Sequence, residues 1–114
     1  MKYALLIYPG RLLEEYERMP DDERQSITAE YMALAQVPGV FGAERLQPPE
    51  SATTVRVENG KTLPTDGPFA DTKEFLGGLY LVEAENLDVA LELAARIPAA
   101  RMGGAVEVRP LVEQ

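Results

Sequence analysis

The chain has no histidine and no cysteine among its 114 residues. Without histidine there is no imidazole base, no Ser-His-Asp triad and no histidine-bound zinc or iron. Without cysteine there is no disulfide, no thiolate nucleophile and no thiolate metal site. Proton transfer falls to Asp, Glu, Lys or Tyr, and any bound metal would be a hard cation on oxygen ligands. No structural metal and no cofactor are expected. Basic residues are scarce: 11 Lys and Arg stand against 19 Asp and Glu, a net charge of −8. That charge repels phosphate backbones and anionic lipid, so neither nucleic acid nor membrane is expected as a partner. Long hydrophobic runs are missing too. The run from Tyr3 to Tyr8 is too short for a signal peptide's apolar region or a spanning helix, and the expected location is the cytoplasm.

The length fits one domain, residues 1–114, with a single core. Lys2–Tyr8 is apolar on both parities, as a strand covered on both faces would be, and Pro9-Gly10 stops it. Arg11–Met19 reads as a short helical turn or a loop. Pro20 sits where a first helical residue should, with Asp21, Asp22 and Glu23 facing the positive helix end. Ile27, Tyr31 and Leu34 then form one apolar stripe on a helix to about Gln36, ended by Pro38-Gly39. Val40–Leu46 is a second strand. Thr53–Glu58, Asn59-Gly60 and Lys61–Leu63 form a β-hairpin. Phe75–Val82 is the next strand, its paired glycines marking a bulge or a close backbone approach. Asn86 caps a second helix carrying Ala90, Leu91, Ala94 and Ile97, which Pro98 stops. Ala105–Arg109 is the last strand.

With the hairpin set aside, the order is strand, helix, strand, strand, helix, strand. This is the α+β, ferredoxin-like βαββαβ arrangement: one antiparallel sheet with two helices on one face. The other sheet face would carry Leu, Tyr and Val side chains, and the expected cover is a second copy, making a homodimer.

The stretch Leu63–Gly78 holds two prolines, three glycines, two aspartates, a lysine and a glutamate between two strand patterns. Asp66-Gly67-Pro68 is turn chemistry, and Phe69 is a large ring in a polar loop that needs burial. Asp66 is a candidate catalytic base or ligand anchor, or simply the residue that forms the turn. Glu44 is the second catalytic candidate, a carboxylate in an apolar setting if its side of the strand faces inward; otherwise it is a charge that protects an edge strand. Lys73 and Glu74 are candidate ligand-binding residues, or a solvated pair. Arg96 and Tyr8 are further binding candidates; Arg96 also suits a helix C-terminus, and Tyr8, Tyr31 and Tyr80 also suit a core or interface. Asp21-Asp22-Glu23 reads as a helix-start charge cluster and not as a metal site.

Thr53-Thr-Val-Arg56, Asp66-Gly-Pro-Phe69, Lys73-Glu74, Gly77-Gly78, Ile97-Pro98 and Val106-Glu-Val-Arg-Pro110, in this order along nearly the whole chain, resemble the DGPF branch of the YCII-related proteins. The opening Lys2–Tyr8 and Gly42-Ala-Glu44 fit as well. The resemblance implies a ferredoxin-like fold, a dimeric α+β barrel and a pocket between sheet and helices. Bacterial members often lie near genes for extracytoplasmic-function sigma factors. The His–Asp pair of the YCII branch has no counterpart here, where Thr28-Ala-Glu-Tyr-Met32 stands in place of the histidine-bearing helix. Three functions remain open: a pocket that binds or turns over a small metabolite, a regulatory or protein-interaction module tied to a sigma factor, and a fold that keeps its dimer but no chemistry.

Overall fold

The computed structural model describes residues 1–68 and 75–113. Strand β1 (Lys2–Tyr8) lies inside a four-stranded sheet of order β2-β5-β1-β6, with β2 at Val40–Arg45, β5 at Gly78–Glu83 and β6 at Ala105–Pro110. The two-sided apolar character of β1 suits that inner place. Every pairing in the sheet is antiparallel. Because β1 and β2 both flank β5, they run parallel to each other; β5 and β6, both beside β1, do likewise. The chain therefore makes two crossovers, one through α1 (Leu12–Arg18) and α2 (Asp21–Ala35), the other through α3 (Leu87–Ala95) and α4 (Pro98–Arg101). The result is an α+β architecture with helices on one side of the sheet.

Register decides which residues meet those helices. Leu5 lies opposite Tyr80 and Val108, and Tyr3 opposite Val82. Tyr3, Leu5, Ile7, Tyr80 and Val82 join Leu12, Leu34, Ala90, Ala94 and Ile97 in one core. Full burial of a side chain such as Leu5 contributes about 1.5–3 kcal/mol. The alternate residues Leu6, Leu79 and Leu81 turn to the helix-free face and are half-buried.

The elements match the sequence pattern closely, with a few differences. Arg11–Met19 resolves as helix α1, because Leu12 is buried beneath it. Pro20 is the N-cap of α2 and not its first helical residue, and its extended ψ of 154° aims the chain into the helix. Pro98 ends one helical segment but opens the next, since a first-turn residue needs no N–H donor. Strand β5 starts at Gly78, three residues later than the pattern suggests. Gly77 and Gly78 instead serve close approach: a Cβ on Gly78 would lie 2.9 Å from the Glu44 carbonyl oxygen, and one on Gly77 2.9 Å from Pro9 Cδ. The irregularity of the pair falls on the partner strand, between Val40 and Gly42.

The hairpin is a separate two-stranded sheet, β3 (Thr53–Glu58) with β4 (Lys61–Asp66), longer than expected at its far end. Asn59 and Gly60 turn it with φ of 51° and 76°, the pair of positive values that a two-residue hairpin turn requires. Pro64 is tolerated because each strand has only one partner. Asn86 caps α3 as expected, its Oδ1 accepting from the Val89 N–H at 3.0 Å. Among the described residues no helix is long and apolar enough to cross a membrane.

Candidate ligand-binding cleft

Between the β2–β5 half of the sheet and helices α1 and α2 opens a cleft of about 590 Å³. Small side chains explain it. On the helix side of β2 and β5, Ala43 lies opposite Tyr80, and Arg45 opposite Gly78. Where a Val or Leu would fill the space beneath α2, Ala43 and Gly78 leave it empty, and Ala43 is exposed although it faces the helices. A volume of this size is that of a small-molecule site.

The helices supply the opposite wall. Leu12, Leu13 and Tyr16 come from α1, and Ile27, Thr28, Tyr31 and Met32 from α2. Leu46, Gln47, Pro48 and Phe75 border the end of the cleft next to β2. Apolar groups dominate the lining. Its polar atoms are mostly engaged: the Tyr80 hydroxyl donates to the Tyr31 carbonyl at 2.7 Å, and the Tyr16 hydroxyl pairs with Thr28 Oγ1 at 3.0 Å.

Burial, with a smaller contribution from the neighbouring Tyr31 phenol, pushes the Tyr80 hydroxyl from its ordinary value of 10.0 to about 12. Burial also raises Tyr31, against the opposing effects of a hydrogen bond with the Ala99 backbone and the charges of Arg45 and Arg101. Both phenols stay protonated near neutrality, so they offer hydrogen bonds and not a base. Arg101 is itself held by Glu30, with contacts of 2.7 and 2.8 Å that tie α4 to α2 behind Tyr31. No group of three or more His, Cys, Asp or Glu side chains able to hold a metal ion occurs among the described residues.

The residues singled out from the sequence are dispersed. Glu44 borders the cleft, but strand alternation sets it opposite Leu79 on the helix-free face, and it is exposed. Asp66 ends β4 opposite Thr53, exposed and outside the cleft lining. The turn after it is fixed by backbone: the Gly67 N–H donates to the Ala52 carbonyl, and Thr54 Oγ1 donates to the Gly67 carbonyl, each at 2.7 Å. Tyr8 is half-buried at the end of β1, and Arg96 is the exposed C-cap of α3. Lys73, Glu74 and Phe69 lie outside the described residues. Sequence reasoning missed Arg45, Tyr16 and Met32 as site residues, and assigned Tyr31 and Tyr80 to core or interface. The usable signal was parity: Arg45 shares its face with Ala43, two small steps from the inward Tyr80.

Residues 1–114 match the family model of the YCII-related domain. The chain is 36% identical over 114 residues to an uncharacterized protein of Rhizobium meliloti (strain 1021), an alignment covering 97% of this chain and 92% of the relative.

Proposed function

The chain belongs to the YCII-related family, and on that premise we propose that it binds a small, largely apolar metabolite in the cleft between β2–β5 and α1–α2. The observation that carries this reading is the cleft itself, about 590 Å³ with an apolar lining and tyrosines along one wall. Two crossovers feeding the order β2-β5-β1-β6 support a ferredoxin-like βαββαβ arrangement with the hairpin inserted after β2. The helix-free face, with Leu6, Leu79 and Leu81 at its centre, supports a homodimer of the α+β barrel kind. A protein-interaction role is favoured by a different observation, the β3–β4 hairpin, which exposes 59% of Val55 and 66% of Val57.

A thermal-shift screen of aromatic and aliphatic metabolites tests the first reading. A ligand that binds only the folded state, at 100 times its Kd, adds about 2.7 kcal/mol of stability. The expected result is a rise in melting temperature with at least one chemical class. A library that leaves the melt unmoved would overturn the metabolite reading and leave the hairpin reading standing.

A further inference from the structure

We propose that the metabolite is an organic acid, its carboxylate held by Arg45 at the mouth of the cleft and its apolar body lying over Ala43 and Gly78 towards Met32. The inference rests on the cleft reading and names the chemistry of its ligand. Of the described residues that line the cleft, only Glu44 and Arg45 are charged. Adjacent on one strand, they point to opposite faces. Arg45 lies on the helix side, opposite Gly78; Glu44 lies opposite Leu79, on the other side. The cleft therefore receives a cation without its carboxylate neighbour.

Two arginines of the helices, on α2 and α4, are already engaged. Arg24 pairs with Asp21, and Arg101 with both oxygens of Glu30. Arg45 makes no ion pair among the described residues, although acidic side chains outnumber basic ones in this chain by 19 to 11. Its exposed guanidinium stands beside an apolar wall, where a planar fork of N–H donors matches a carboxylate bidentately. The chemistry also argues against a phosphate ester. A dianion calls for several cations or a cradle of backbone N–H groups, and among the described residues this cleft offers one cation, in a protein of net charge −8. A single negative charge on an aromatic or aliphatic body fits the lining.

The test compares carboxylic acids with their uncharged amides. Phenylacetate, cinnamate and octanoate, each beside its primary amide, are titrated into the protein while the methyl signal of Met32 is followed by NMR. At least one acid is expected to shift that signal and to bind at least tenfold more tightly than its amide, a difference of about 1.4 kcal/mol. Arg45→Gln, with a melting curve confirming the fold, is expected to weaken the acid at least tenfold and leave the amide unchanged; Arg45→Lys is expected to fall between. Equal binding of acid and amide, or an equal loss of both in Arg45→Gln, would overturn the inference and leave the cleft reading in place. Failure of every acid and every amide to shift Met32 would overturn both.

Discussion

Tyr80 joins sheet to helix through one hydrogen bond, its hydroxyl donating to the Tyr31 carbonyl at 2.7 Å. The side chain is 5% exposed, and its hydroxyl is pushed up to about 12. The folded state therefore holds this proton more tightly than the unfolded chain does. The stabilisation is fully present below the ordinary value of 10.0 and is lost as pH rises towards about 12, because there the unfolded state binds fewer protons. A shift of this size corresponds to a loss of about 2–3 kcal/mol. Denaturant melts between about pH 9 and about pH 12 should show this decline. Tyr80→Phe should flatten the decline and lower stability at neutral pH by about 1 kcal/mol. An equally steep alkaline loss in the variant would contradict the assignment. Asp66 gives the opposite kind of prediction. The Gly67 backbone makes the hydrogen bonds of its turn, and Asp66 is exposed outside the cleft. Asp66→Asn should change stability by less than about 1 kcal/mol and leave ligand affinity as it was; a tenfold loss of affinity would make Asp66 a functional residue.

At the scale of elements, the hairpin and the main sheet should behave as separate cooperative units. A lone two-stranded sheet is marginal in water, and β3–β4 is exposed along nearly its whole length. Hydrogen exchange should therefore proceed faster at the amides of 53–66 than at those of β1 and β5, whose side chains are the centre of the core. Equal protection in both would show that the hairpin is covered. Most of these elements were legible because their signals are local. Asn59-Gly60 sets the hairpin turn through its own φ values, Asn86 caps α3 with its own side chain, and the parity of β1 reports its inner position. Helix α1 was legible only as one of two alternatives, a short helical turn or a loop. Seven residues are too few to be helical on propensity alone, and the segment is held by the burial of Leu12. The residue pattern gave no sign of the cleft for a related reason, and only the family resemblance implied a pocket between sheet and helices. It depends on Ala43 and Gly78 being small beneath Tyr31 and Met32, a relation between strands and helix that no single window contains. The loop 63–78 stands out through its charges and turn residues, yet what its described part reveals is turn chemistry and, at Phe75, Gly77 and Gly78, part of the cleft lining.

As a whole the molecule is flat, with extents of 45 × 42 × 19 Å and a radius of gyration of 16.0 Å. A compact chain of this length would have a radius near about 13 Å. The difference fits a protomer with an extended hairpin and one sheet face left without helices. A homodimer formed on that face would cover Leu6, Leu79 and Leu81, and sedimentation at micromolar concentration should give twice the 12.5 kDa of one chain. Each copy carries a net charge of −8, so added salt should tighten the association. A single 12.5 kDa species at every concentration and salt level would exclude it. Ligand binding in the cleft is tested most directly by a crystal structure of the protein with a ligand taken from the thermal-shift screen. The predicted result is density between β2–β5 and α1–α2, over Ala43 and Gly78 and within reach of Tyr16 and Met32. Ligand density at the helix-free face or along the β3–β4 hairpin, with the cleft empty, would contradict the claim.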